Sequence, residues 1–171
     1  MKPILFTLSA VLLFAAASFA QNTSVYTPTS DKICKQQKSG GDEHGDYVGI
    51  CPGTAGYKIE LIEGDLRQTL NIILPNKKKQ ELNLTSFYSS FSAVGEKLEW
   101  RLKKGVPVAI IARYNVADPE GVKKGISYLM VAKISKAESC VTDVVPPGAK
   151  QNEDARKLAD AAISKPCKTN E

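Results

Sequence analysis

From Tyr57 onward the prevailing period of the apolar residues is two, which points the chain to a sheet-building fold. Tyr57, Ile59 and Leu61 alternate with Lys58 and Glu60, as a half-buried strand requires. Glu63-Gly64-Asp65 then supplies a turn, and Leu66, Leu70, Ile72 and Leu74 continue the apolar face in a second strand. Pro75-Asn76 and a run of lysines end it. Leu98, Trp100 and Leu102 share one face, with Lys97, Glu99 and Arg101 on the other. Lys103-Lys104-Gly105 turns the chain, and Val106 to Val116 is apolar on both sides, which marks a central strand. Ile126 to Ile134 reads as a further strand and Cys140 to Val145 as a short last one, broken by Pro146-Pro147-Gly148. Leu84 to Val94 carries Phe87, Tyr88 and Phe91 among serines and reads as a short helix or an irregular segment across the sheet.

A helix follows the strands. Ala155, Leu158, Ala159, Ala162 and Ile163 fall on one stripe at helical spacing. Asn152 is the expected cap, Glu153 and Asp154 suit the positive end of the dipole, and Pro166 stops the helix. The expected fold class is α+β. It comprises a mainly antiparallel sheet of five to seven strands with a C-terminal helix packed on one face. A closed or sandwich-like barrel is the alternative.

Met1-Lys2-Pro3 precedes an apolar run from Ile4 to Ala17 and the small-residue ending Ser18-Phe19-Ala20. One positive residue, an apolar stretch of about 14 residues and small residues before the cut describe a secretory signal peptide. The expected organisation is a signal peptide at 1–20, a flexible polar lead-in at 21–32 and a single domain at 33–171. The location implied is periplasmic or secreted, with no transmembrane segment in the mature chain.

All four cysteines, Cys34, Cys51, Cys140 and Cys167, lie beyond the signal segment, and an even count in an exported chain reads as two disulfides. Loop-closure entropy favours the near pairs, Cys34–Cys51 and Cys140–Cys167, separated by 17 and 27 residues. Each bond can contribute roughly 3 to 4 kcal/mol. A zinc site fails on spacing, since no two cysteines lie within four residues and His44 is the only histidine. The loop Ser39 to Asp46 holds acidic residues and His44, yet it lacks the twelve-residue calcium pattern. No metal or cofactor site is expected.

The formal net charge is +5, with lysines grouped at Lys77-Lys78-Lys79, Lys103-Lys104 and Lys123-Lys124. Such groups keep a surface solvated, or attract anionic envelope glycans and lipid headgroups. Nucleic acid is not an expected partner, because no recognised binding motif is present. A histidine-based hydrolase has only His44 to draw on, and oxidised cysteines supply no thiolate. Glu60, Glu63, Asp65 and Glu99 could serve a glycosidase only at a catalytic separation, and the alternation of Glu60 and Glu99 with apolar neighbours reads as a solvent face.

Two charged triplets stand out, Asp65-Leu66-Arg67 and Glu99-Trp100-Arg101. Were their strands to expose one face, Arg67 and Arg101 would present forked donors to a carboxylate or phosphate; otherwise the triplets form a cross-strand ion lattice. Trp100 alternates with leucines and reads as a core anchor. The candidate binding residues are therefore Arg67, Arg101, Asp65, Lys77, Lys78 and Lys79, with no catalytic residue assigned.

Cys51-Pro52-Gly53 with Gly56-Tyr57, Asp65-Leu66-Arg67, Glu99-Trp100-Arg101-Leu102, Cys140, Leu158-Ala159-Asp160 and Cys167 together form a recognisable set. With it the chain resembles a group of small secreted proteins of unknown function found in proteobacteria, mostly of the alpha class. The likeness spans residues 50 to 167. It implies a periplasmic or secreted location and carries no catalytic or binding residue with it. A bacterial source leaves the sequons at Asn22 and Asn83 without an expected glycan. The function expected is a non-enzymatic binding domain for a protein partner or an anionic envelope component. The alternative is a small envelope enzyme using carboxylates or a loop-bound metal.

Overall fold

The structure is a computed structural model and describes residues 22–37, 46–121 and 123–169. The expected signal peptide and most of the His44 loop lie outside the described residues. The strands are β1 (Thr23–Pro28), β2 (Lys35–Gln36), β3 (Tyr47–Cys51), β4 (Lys58–Gly64), β5 (Arg67–Ile73) and β6 (Lys79–Glu81), followed by β7 (Ser92–Lys103), β8 (Val106–Val116), β9 (Ile126–Lys133) and β10 (Cys140–Val145). Helix α1 spans Gln151–Ala161.

The sheet runs β10-β9-β8-β7-β5-β4-β3-β2, with β1 beside β7 and β6 beside β5. Ten strands therefore replace the expected five to seven. The sheet is also mixed, because β5 and β7 meet in parallel where Arg67 pairs with Ser92. The extra strands, β1, β2, β3 and β6, have six residues or fewer and are too short or too polar to leave an alternating signature. β1 lies within the segment read as a flexible lead-in, and it pairs with β7 from Thr23↔Leu102 to Pro28↔Lys97. Its order comes mainly from backbone pairing and polar side-chain contacts, with Val25 packed against the core.

Strand β7 pairs with β8 along one edge and serves two neighbours, β5 and β1, along the other, which divides the sheet into two arms. Its first residue lies against β5, where the Ser92 N–H donates to the Leu66 carbonyl at 3.1 Å, and its later residues lie against β1. The arms share one core. Ile59, Leu61, Leu70 and Ile72 from one join Leu98, Trp100, Ile110 and Met130 from the other. Trp100 is the anchor expected of it: it is fully buried, its indole N–H donates to Thr27 Oγ1 at 2.8 Å, and its ring lies 6.3 Å from that of Tyr57.

The opposite face of the β8–β9–β10 arm packs on α1. Ala109, Ile111, Leu129, Val131 and Val145 meet Ala155, Ala159 and Ala162. Small residues on the helix let it approach closely. Asn152 is not the cap; Lys150 occupies that position without a side-chain bond, and the helix starts at Gln151. The reason is that Gln151 is buried and donates to the Ser127 and Val145 carbonyls, so the first turn is fixed by the sheet instead. The disulfides are Cys34–Cys51 and Cys140–Cys167, as loop closure predicts. The second ties the segment after α1 to β10, where the Lys168 N–H also donates to the Val141 carbonyl at 2.8 Å.

The β4–β5 turn differs from expectation. β4 runs on through Gly64, and the β4–β5 hairpin turns on Asp65 and Leu66, both at positive φ (50° and 57°). Leu66 thus leaves the apolar face assigned to it and becomes exposed. Residues 84–94 resolve into a single 3-10 turn at Leu84–Phe87 and the start of β7.

Candidate binding surface

Arg67 and Arg101 do not converge. Arg67 lies opposite Ser92 at the start of β7, whereas Arg101 lies near its far end, on the order of 25 Å along an extended strand. They also have different surroundings.

Arg101 is buried between the sheet and α1 with its donors committed. Nε and Nη2 bond both carboxylate oxygens of Asp160 at 2.8 Å, Nη2 also reaches the Asn22 carbonyl, and Nη1 reaches Ser24 Oγ. Glu99 sits 3.7 Å from Arg101 and takes Arg156 Nε at 2.8 Å and the Ser24 hydroxyl. Arg156 reaches on to the Tyr26 hydroxyl at 2.9 Å. Burial alone would raise the Glu99 carboxyl, but the bonds from Arg156 and Ser24 outweigh it and hold the group below its usual range. Asp160 behaves alike: burial opposes the charge, and the bonds from Arg101 and Asn22 prevail. This ion lattice fastens β1 and α1 to β7. Glu99 does not face solvent as its alternation suggested, because the helix supplies a second layer over that face.

Glu60 is likewise buried rather than solvent-facing. It accepts Lys79 Nζ at 2.5 Å and Asn71 Nδ2 at 2.9 Å, so β6 covers it. Lys79 is thereby engaged, while Lys77 and Lys78 stand exposed on the turn before β6. Glu63 accepts from Gln68 Nε2, and Asp143 pairs with Lys165. These carboxylates face cations or amides rather than one another. Glu138, Cys140 and Cys167 lie close together, but both sulfurs belong to the disulfide and offer no thiolate to a metal. No helix among the described residues is long and apolar enough to cross a membrane.

The open surface lies where the arms part. Ala93, Asn115 and Ser127 are cross-strand neighbours on the face that carries Ile111 toward α1, but the helix begins beyond them. A groove of about 560 Å³ runs over this uncovered stretch. Leu66, Phe91 and Ile126 line it with 62%, 49% and 48% of their surfaces exposed, and Lys124 stands on its rim. Leucine in the left-handed region costs roughly 1–2 kcal/mol, strain that a glycine at the same turn position avoids. A strained, exposed apolar residue on a tight turn is an outlier of the kind that gathers at binding sites.

Behind the groove, Arg67 leans on the Phe91 ring, with its guanidinium carbon 6.0 Å from the centroid. Its ion pair is Nη1 to Asp65 at 2.9 Å, with Asp65 75% exposed, and its buried Nε has no hydrogen-bond partner among the described residues. Thr85, Tyr88 and Ser89 line a cleft of about 370 Å³ beside it. Tyr88 stacks on Tyr128 at 4.6 Å, and Tyr114 bonds Ser92 and the Gln68 carbonyl. Burial raises Tyr88 and Tyr114, so both phenols stay protonated at neutral pH.

Sequence reasoning reached Arg67 and Asp65 but missed Leu66, Phe91 and Ile126. The signal for Leu66 was the Gly64-Asp65 turn, read one step too early. Phe91 belonged to a segment without periodicity. Comparison with protein-family models, with curated proteins and with solved structures finds no match to this chain.

Proposed function

We propose that this chain is an exported, non-enzymatic binding domain that holds a protein partner in the groove beside α1. The observation that carries the reading is the clustering of Leu66, Phe91 and Ile126, exposed, around one concavity of a disulfide-tied sheet. Exposed apolar side chains gathered at a concave site on a rigid scaffold mark an interaction surface. The apolar run and small-residue ending at 1–20 support export to the periplasm or outside the cell, and two disulfides suit that compartment. The resemblance read from the sequence, to small secreted proteobacterial proteins, implies the same location.

The rival reading, an envelope enzyme working through carboxylates, gains no support from the buried acids. Glu60 and Glu99 each face a cation across a short bond rather than a second carboxylate, and the bonds that hold the Glu99 carboxyl below its usual range leave it a poor general acid. An anionic envelope component held by the lysine run is the weaker binding reading, since Lys79 is occupied by Glu60.

Recovery of the tagged mature protein from native periplasm or culture fluid, at low and at high salt, tests the proposal. A protein retained in stoichiometric amount at high salt is expected, because an apolar groove is insensitive to screening. Retention of glycan or lipid alone, lost as salt rises, would overturn it, and so would recovery of nothing at either salt.

A further inference from the structure

The two arginines that share a sequence pattern differ in one respect that assigns a role. Arg101 has donors bonded to Asp160, Ser24 and Asn22 and is spent on holding the helix. Among the described residues Arg67 has one ion pair, to a carboxylate so exposed that water competes for it, and a buried Nε–H with no acceptor. A guanidinium half-withdrawn from water with a donor idle carries an unmet demand for an oxyanion.

We propose that Arg67 is the carboxylate-binding residue of the groove, receiving a carboxylate of the partner whose apolar residues lie on Leu66, Phe91 and Ile126. This deepens the docking reading above and rests on it. The cleft that Arg67 shares with Ser89, Ser90 and Phe91 meets the groove at Phe91 and Ala117, so one ligand can span both. Thr85, Ser89 and Ser90 line the clefts that Arg67 shares, and hydroxyls of this kind can donate to the second oxygen. The incoming carboxylate replaces Asp65, and the guanidinium turns its Nε edge toward it, giving the idle donor its acceptor.

Charge selects the ligand further. Asp65, Asp118 and Glu120 flank the cleft, and Asp118 accepts the Lys123 backbone N–H at 2.7 Å. Among the described residues that line the two cavities, the lysine is Lys124, on the groove side. One guanidinium among three carboxylates leaves a negative field that penalises each added negative charge, so a monoanion seated on the fork is opposed least and a dianion or polyanion more. A carboxylate on an apolar body therefore fits better than a phosphate ester. The chemistry named is that of a peptide with an apolar side chain beside its carboxylate, at a chain end or on an acidic residue.

The experiment titrates the full mature protein, with nitrogen-15 label, against N-acetyl-leucine, N-acetyl-leucinamide and inorganic phosphate, each to about 50 mM, the range in which single-group contacts saturate. The Arg67 Nε–H signal and the Leu66 and Phe91 amides are followed together. N-acetyl-leucine is expected to move all three saturably, with the amide at least tenfold weaker and phosphate weaker still. Arg67→Lys, checked for an unchanged melt, should weaken the acid at least tenfold, because an ammonium keeps the charge but not the fork. Equal response to acid and amide, or no saturable response at Arg67, overturns the assignment. A stronger response to phosphate overturns it in favour of a phosphate ester. Movement of Leu66 and Phe91 without Arg67 sinks this inference alone and leaves the groove reading standing.

Discussion

Replacing Arg101 with methionine tests the view that this arginine is structural. The side chain is 8% exposed, and four hydrogen bonds to Asp160, Ser24 and Asn22 vanish with it. Breaking a buried pair costs ~3–5 kcal/mol when it strands an uncompensated charge. Two features reduce that figure. Glu99 keeps Arg156 and the Ser24 hydroxyl, and Asp160 is 36% exposed and can rehydrate. Methionine also fills much of the stem volume that arginine packs against β1. The expected loss is therefore about 2–4 kcal/mol. At roughly 2–4 °C per kcal/mol for a domain of this size, Tm falls by about 5–15 °C. Calorimetry at neutral pH reads it directly. Pairing the change with Asp160→Ala gives a double-mutant cycle, in which a coupling of about 1–3 kcal/mol is expected for contacting groups. A Tm within about 2 °C of the parent, or strictly additive single effects, would refute the lattice as the fastener of helix and N-terminal strand.

The same lattice predicts an acid limit. Glu99 and Asp160 both have folded values below their unfolded ones, so their stabilisation is complete above the ordinary carboxyl range and is lost as pH falls below that range through the folded values. A Tm-against-pH curve should show that loss, and Arg101→Met should flatten it. Cys167→Ser should lower stability by about 2–5 kcal/mol and raise hydrogen exchange in α1, since the bond ties the segment after the helix to β10; an unchanged melt would show the bond to be dispensable. Changing Lys77, Lys78 and Lys79 together to glutamine should cost stability through Lys79 alone, because Glu60 loses its cation. Lys79→Gln by itself should reproduce the triple variant's melt, and a further fall in the triple would contradict this.

How much of this was legible in the chain differs by element. The alternation around Trp100 gave a core strand because both of its sides report on real layers. The disulfides followed from loop closure between near cysteines. Periodicity failed wherever a second layer covered a charged face. Glu60 and Glu99 alternate as solvent residues do, yet β6 and α1 lie over them and supply cations. β1 was hidden for a related reason: its Ser24, Tyr26 and Thr27 look like a polar leader, and their polarity is what bonds Glu99, Arg156 and Trp100. The groove was hidden more deeply. It depends on where β5 and β7 part and on how far the helix reaches along the sheet, neither of which a local pattern records.

The most direct test of the docking surface is Leu66→Gly. Glycine at a φ of 57° relieves the left-handed strain, so the melt should rise by an amount worth roughly 0.5–1 kcal/mol. The same change removes the most exposed apolar side chain of the groove, and burying a leucine is worth about 1.5–3 kcal/mol. Affinity for the protein recovered from periplasm or culture fluid, measured by titration calorimetry, should therefore fall at least tenfold while the fold becomes more stable. A more stable variant that binds its partner as tightly as the parent would show that the groove is not the docking surface.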